Sequence, residues 1–309
     1  MSWRPGALPA QPGRVYVVTG GNAGLGYFTA EQLASTGAHV VLASRDSKRA
    51  DAAIRSIRSR YPRASLDRLT VDLGSLESAR AAGTAIGEFD RLDGLVLNAG
   101  MTTGPRTRVE TDDGFEATMA TNYIGHFALT AAAWPILART AESRVVGLGS
   151  LSTDIVSLDP ADLMSERRYG FFRAYGFSKH SIHGFMLELD RRSRAASAGV
   201  SAIIAQPGYA IDGLSPERPG IVSRGTGDRI YGATVALGAQ GKNRGAAATV
   251  RALLDPTVVG GEFVGPEFLT RGRPVLQRPI ASSASPEFGA YLWAQSELWT
   301  GASFDVTAG

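Results

Sequence analysis

The 309-residue chain is 44% hydrophobic and 20% charged, ordinary values for a folded protein with one large core or two small ones. Its net charge of +3 comes from basic residues scattered among Asp and Glu, which argues against a nucleic-acid partner. The absence of cysteine excludes disulfides and thiolate metal sites, and the four histidines (His39, His126, His180 and His183) lack a metal-ligand spacing, so no metal is expected.

Residues 1–13 carry three prolines and two glycines and read as an extended arm, with Trp3 and Leu8 pinning it to the body or fraying with it. From Arg14 onward, β-branched runs alternate with Ala-, Leu- and Arg-rich stretches of helical length. The runs fall at 15–18, 39–42, 69–71, 94–97, 144–148 and 200–204, with Glu262-Phe263-Val264 as a seventh. Strands apolar on both faces and alternating with helices predict an α/β fold. The expected architecture is a single doubly wound Rossmann-type domain over 14–309, a parallel sheet of about seven strands with helices on both faces. Residues 151–174 and 209–248 break the rhythm after the carboxyl ends of strands. They are expected to be lid or substrate loops, with surface decoration as the alternative. No stretch reaches the roughly 18 apolar residues that span a bilayer, and the N-terminus lacks an apolar signal core, so a soluble, cytoplasmic protein is expected.

The first run leads straight into Thr19-Gly20-Gly21-Asn22-Ala23-Gly24-Leu25-Gly26, with a helix predicted from Tyr27 to about Thr36. Gly20 permits a tight turn, Gly24 lets a phosphate approach the backbone, and Gly26 allows close helix–strand packing. Free N–H groups at the helix start would then face a pyrophosphate. Strand, glycines and helix in this order favour a dinucleotide-binding turn over a purely structural one. The second run ends in Ser44-Arg45-Asp46. Ser44 stands where an NAD-specific site keeps a carboxylate, and Arg45 follows, suited to a 2′-phosphate to which Ser44 would also donate. NADP is therefore expected, with NAD as the lesser alternative should Asp46 reach back to the ribose.

Tyr175-Gly176-Phe177-Ser178-Lys179 sits at the start of a helical pattern running to about Arg194. Residues four apart share a helical face, so phenol and ammonium point into one space. Nearby positive charge should pull the Tyr175 pKa down from about 10 and suit it to general acid/base work on a carbonyl or alcohol. With nine tyrosines and three lysines in the chain, chance supplies roughly 0.09 such pairs.

The Thr-Gly-x-x-x-Gly-x-Gly spacing resembles the short-chain dehydrogenase/reductase family, and further matches arrive in that family's order. The resemblance implies that Asp72 and Leu73, after the third strand, contact the adenine ring. Asn98, Ala99 and Gly100, after the fourth, would lie beside the adenine ribose and the sheet centre, and Pro207 and Gly208, after the sixth, beside the nicotinamide. Gly20, Asn22, Ala23, Gly24, Leu25, Gly26, Ser44, Arg45, Tyr175, Lys179 and Ala210 complete the expected cofactor site. The implied catalytic set is Asn122, Ser150, Tyr175 and Lys179. Ser150, in preference to Ser152, would hydrogen-bond the substrate oxygen. Asn122 would bend its helix and hold a water linking the lysine to solvent, and Lys179 would hold the nicotinamide ribose hydroxyls.

The 25-residue gap between Ser150 and Tyr175 looks like the retinol-dehydrogenase-like and protochlorophyllide-reductase-like subgroup. So do Trp3 in the arm, the Ala-Ser-Arg ending of the second strand, and Arg-Gly-Arg-Pro-Val at 271–275. One departure stands out: Asp212 occupies the place of a threonine that donates to the cofactor phosphates, and a carboxylate there would repel them. Phe171, Phe172 and Tyr209 suggest an apolar pocket for a lipophilic alcohol or aldehyde, or else they pack the lid. Phe288, Leu292 and Trp299 share a face of a helix over 286–299, expected to pack on its own domain, with a subunit or membrane contact as alternative. A homo-oligomer is expected only by analogy. The expected function is an NADP-dependent oxidoreductase moving a hydride between nicotinamide and a carbonyl or alcohol. The competing reading is a catalytically silent NADP(H) sensor or interaction protein on the same fold.

Overall fold

Runs of valine, leucine and isoleucine too apolar for a solvated strand end up covered on both sides. A computed structural model describes residues 3, 6–223 and 225–307, so Met1, Ser2, Arg4 and Pro5 of the expected arm and Arg224 of the second expected lid lie outside the described residues. Strand β1 (Val15–Thr19) feeds α1 (Gly24–Ala34), β2 (His39–Ser44) feeds α2 (Ser47–Arg60), and β3 (Ser65–Thr70) feeds α3 (Leu76–Gly87). After β4 (Gly94–Leu97) come α4 (Ala117–Met119), a π turn (Ala120–Ile124) and α5 (Gly125–Arg139). After β5 (Arg144–Leu148) come α6 (Ser152–Ile155) and the long α7 (Phe171–Ala195). Strand β6 (Ser201–Ala205) is followed by β7 (Ala210–Ile211), α8 (Thr226–Val235), β8 (Gln240–Gly241) and α9 (Lys242–Leu254). Then follow β9 (Phe263–Pro266), β10 (Pro274–Gln277), α10 (Ala281–Ala284) and α11 (Pro286–Thr300).

The main sheet has eight strands in the order β10-β9-β6-β5-β4-β1-β2-β3. Neighbours run parallel except β9 and β10, which are antiparallel. β10 is an addition to the seven strands expected; it is an edge strand whose first residue is Pro274, a position where a missing N–H does little harm. β3 begins four residues before its predicted start. It lies at the other edge with Ser65, Asp67 and Arg68 exposed, so only its end carried an apolar signal.

Alternate residues of each strand face opposite layers. Val17 and Val41 join a core with α3, α5, α7 and α11, whereas Tyr16, Val18, Val40 and Leu42 join one with α1, α2 and α9. In α11 Phe288, Leu292 and Trp293 are buried, and Trp299 is only partly so. Trp293 packs on Phe304 with ring centroids 4.7 Å apart, and Gly184 of α7 leaves room for the Phe288 ring. The helix therefore packs on its own chain. Trp3 and Leu8 pack against the second core, and Gln11 bonds Thr36 through the backbone, which ties the described part of the arm down.

The two irregular regions carry structure of their own. Within 151–174, Asp162 is buried and accepts from the backbone of Glu166 and Arg167 while pairing with Arg173 at 3.1 Å. Within 209–248, β7 pairs with β8, and residues from Lys242 onward already belong to α9. Among the described residues no helix is long and apolar enough to cross a membrane, and no group of three or more His, Asp or Glu is arranged to hold a metal.

Candidate active site

The sheet order reverses between β1 and β4, and open α/β sheets bind ligands in the crevice at such a switch point. Gly20 and Gly24 adopt left-handed φ values of +65° and +56°, which favour glycine. A Cβ on Gly26 would stand 2.3 Å from the Gly20 carbonyl oxygen, so the helix can approach the turn this closely only with glycine there. Helix α1 begins with no side-chain cap at Ala23 and no acidic residue in its first turn. Its first N–H groups are therefore left for another acceptor, which is the arrangement a dinucleotide's pyrophosphate needs. Asn22, Ala23 and Leu25 lie within this turn or at the helix start.

The turn is braced from β4. Asn98 Nδ2 donates to the Thr19 carbonyl at 2.7 Å, and the backbone N–H groups of Asn98 and Ala99 both donate to Thr19 Oγ1. Gly100 lets Asn122 approach, its Cβ position lying 2.9 Å from Asn122 Oδ1. Of the pair after β3, Asp72 is partly exposed and accepts from Gly74 N, whereas Leu73 is buried in the core. Arg45 is exposed, with Nη1 3.7 Å from Asp72 Oδ2. Ser44 differs from its expected role. Its hydroxyl donates to the Asp46 carbonyl and accepts from Asp46 N, so its proton is committed within its own turn. Asp46 in turn caps α2 by accepting from Arg49 N.

On the other side of the crevice, α7 presents Tyr175 and Lys179. Lys179 is buried and donates through Nζ to the Leu148 carbonyl at 2.8 Å, with Nζ 5.7 Å from the centre of the Tyr175 ring. Burial lowers the Lys179 pKa from its usual 10.5 to about 8. Ser150, just past β5, lies close enough to the Tyr175 phenol to influence its titration, and its hydroxyl accepts from Ser152 N at 3.1 Å. The expected lowering of the tyrosine pKa does not appear: burial raises it, and the nearby Ser150 hydroxyl only opposes that rise, while the ammonium donates to Leu148 O. Ser152, the competing serine, is buried in α6 with its hydroxyl unpartnered.

Asn122 sits on the π turn before α5. Its Oδ1 accepts from Met101 N at 2.7 Å, and its Nδ2 donates to Met101 O and to Ser178 Oγ. Its carbonyl accepts from His126 Nδ1 at 2.9 Å. The side chain thus serves mainly to fix the helix against Met101 and α7. Phe171 stacks on Tyr175 with centroids 6.2 Å apart, while Phe172 and Tyr209 are exposed.

After β6, Gly208 turns at φ +66° and packs on Thr270, whose carbonyl accepts from Tyr209 N. Pro207 O accepts from Gln240 Nε2, and Ala210 pairs with Gln240 in the small sheet. Asp212 is not a bare carboxylate. Lys242 Nζ donates to Asp212 Oδ2 at 2.6 Å.

Two residues of this region escaped the sequence reading. His126 was in view only as a histidine without ligand spacing, although it lies four residues after Asn122. Lys242 was legible only as one of three lysines, since both of its neighbours at the site come from distant parts of the chain.

A doubly wound sheet with a glycine turn after β1 and a Tyr–Lys pair beside the end of β5 is the architecture of a nicotinamide-dependent oxidoreductase. The family model for short chain dehydrogenase matches residues 14–212. Polyprenol dehydrogenase of Mus musculus is 36% identical over 309 residues, covering 97% of this chain and 88% of that protein. Retinol dehydrogenase 13 of Homo sapiens is 37% identical over 210 residues, covering 66% of this chain and 62% of that protein. The crystal structure of an uncharacterized protein from Mycobacterium paratuberculosis is similar at a TM-score of 0.79 and 31% identity, covering 99% of this chain and 100% of that one. A short chain dehydrogenase from Burkholderia cenocepacia in complex with NADP shares the fold at a TM-score of 0.62 and 23% identity, covering 82% of this chain and 96% of that one. The chain belongs to the short-chain dehydrogenase family, on its retinol-dehydrogenase-like side, and is an NAD(P)-dependent dehydrogenase.

Proposed function

We propose that this dehydrogenase uses NADP(H) and interconverts a lipophilic alcohol and its carbonyl partner, with Tyr175 as the acid/base. The observation that carries the reading is the placing of Tyr175 and Lys179 on one stretch of α7 at the end of β5, with Nζ 5.7 Å from the ring centre and Ser150 near the phenol. The uncapped α1 N-terminus and the left-handed Gly20 and Gly24 fit a dinucleotide pyrophosphate. When bound, the nicotinamide supplies or accepts the hydride.

The protein's own residues handle the proton. With its pKa raised by burial, the Tyr175 phenol stays protonated across the neutral range and can donate to a carbonyl oxygen as negative charge develops there. Ser150 gives a second hydrogen bond to the same oxygen. Lys179, buried with Nζ on the Leu148 carbonyl, would hold the nicotinamide ribose hydroxyls with its remaining protons. Asn122 fixes the π turn that packs on α7 through Ser178. Phe171, stacked on Tyr175, keeps water from the ring and supports an apolar substrate, as do relatives named for polyprenol and retinol.

The test is loss of NADPH absorbance with a panel of long-chain and short-chain aldehydes, in wild type and in Tyr175→Phe. Turnover of the long-chain substrates that disappears in the variant, with NADPH affinity retained, is the expected result. Wild-type turnover in Tyr175→Phe would remove the tyrosine from its role, and NADPH binding without turnover of any substrate would favour the sensor reading.

A further inference from the structure

The glycine turn has a cation poised over it from the far end of the chain. A Cβ placed on Gly24 would meet only Lys242 among the described residues, with Nζ at 3.6 Å and Cδ at 3.8 Å. Lys242 is the first residue of α9, and the start of that helix is fastened to the last turn of α1 and to the segment before α9. Gln32 Nε2 donates to Asn243 O at 2.8 Å, and Lys242 N donates to Ser215 Oγ at 2.8 Å. Gly245 brings α9 close to Leu25. The Lys242 side chain is largely covered, at 25% exposure, and its ammonium is held at 2.6 Å by Asp212.

We propose that Lys242 is a pyrophosphate ligand of the dinucleotide, aimed by Asp212, a role that rests on the dinucleotide site described above. An ammonium has three protons. One goes to Asp212 Oδ2, which leaves two for phosphate oxygens over Gly24. The carboxylate that replaces a neutral donor is thereby neutralised, and the charge nearest the turn is positive. Asp212 belongs to the segment between β6 and α9, so phosphate, Lys242 and Asp212 together tie that segment to the bound cofactor.

The experiment is fluorescence titration with NADPH and NADH of wild type, Lys242→Ala, Asp212→Asn and the double variant, with adenosine 2′-monophosphate as a probe that carries no pyrophosphate. Lys242→Ala should weaken NADPH and NADH alike by about tenfold to a hundredfold. It should leave adenosine 2′-monophosphate unchanged and should still weaken NADPH, though by less, when introduced into Asp212→Asn, where the lysine is no longer aimed. If Asp212→Asn alone costs as much as Lys242→Ala and the double variant is no worse, the pair only fastens the loop and the proposal fails. Unchanged NADPH affinity in Lys242→Ala, or loss of adenosine 2′-monophosphate as well, also overturns it. A wild type that binds neither NADPH nor NADH would instead overturn the dinucleotide reading itself.

Discussion

His126 holds the carbonyl of Asn122 at 2.9 Å through Nδ1 and meets Thr19 Oγ1 at 2.9 Å through Nε2. A carbonyl only accepts, so Nδ1 carries the proton. Thr19 Oγ1 already accepts from Asn98 and Ala99, so its single proton is free to go to Nε2 or to Val96 O. Burial holds the His126 pKa down at about 4, which keeps the ring neutral and this pattern intact. One imidazole therefore links the glycine turn to the π turn that packs on α7.

From that link we predict that His126→Phe lowers kcat about tenfold to a hundredfold with little change in KM, because it loosens a positioning contact rather than a substrate contact. Two buried partners lose a hydrogen bond, so stability should also fall by about 2–4 kcal/mol. His126→Gln, which keeps a donor, should recover part of kcat. Variants that lose stability but keep wild-type kcat would reduce His126 to a core residue.

The glycine turn and the Tyr175–Lys179 pair were legible in the sequence because their geometry is local. Positive φ calls for glycine, and a four-residue spacing fixes a shared helix face. The Thr19–His126–Asn122 link was not legible, since Thr19 and His126 are 107 positions apart and meet only once β1 and β4 pair. The direction of the tyrosine pKa is not legible for a related reason: sequence spacing brings Lys179 near, and only the fold shows its ammonium turned to Leu148 and both groups desolvated.

Lys179 gives a pH signature in stability. Its pKa falls from 10.5 to about 8 on folding, so between those values the unfolded chain holds a proton that the folded chain has released. Stability from this group therefore rises with pH through that window, and the cost of burying the charge is largest below about pH 8. Relative to Lys179→Met, wild type should gain on the order of 2 kcal/mol between about pH 8 and pH 9.5. Chemical denaturation of both proteins across that range is the measurement. A constant difference would mean that the lysine keeps its ordinary pKa.

His183 makes the acid-side counterpart. It is fully buried on α7 with both ring nitrogens unpartnered, and burial, reinforced by His180 and Lys179, lowers its pKa to about 3. Below about pH 6.5 the unfolded chain takes up a proton that the folded chain refuses, so stability drops as pH falls from there toward 3. His183→Leu removes this penalty. It should be more favourable relative to wild type at about pH 5 than at pH 8, by about 2 kcal/mol. The same denaturation midpoint shift at both pH values would count against it.

The segment before α9 should respond to ligand. Ile230, Tyr231 and Leu237 are 50–88% exposed, an apolar surface suited to covering a lipophilic substrate. Amide exchange over residues 209–241 should slow when NADP(H) and substrate are both present. Exchange unchanged in the ternary complex would make the region decoration instead.

The last prediction concerns cofactor choice. Arg45 is exposed and borders Asp72 at 3.7 Å, while Asp46 is tied up as the cap of α2 and Ser44 is bonded to Asp46. We read the Arg45 guanidinium, rather than the Asp46 carboxylate that caps α2, as the group that meets the adenine ribose position. A 2′-phosphate offers it a charge-assisted contact worth roughly 1.5–3 kcal/mol, against which screening by solvent and the nearby Asp72 carboxylate both work. NADP(H) should bind about tenfold more tightly than NAD(H), nearer the lower end of that range. Arg45→Ala should erase the preference by weakening NADPH alone, whereas Lys242→Ala should weaken both cofactors and leave the preference standing. Separate dissociation constants for NADPH and NADH in the three proteins decide the matter. An Arg45→Ala variant that loses both cofactors equally, or a wild type that binds them equally, would remove Arg45 as the phosphate reader.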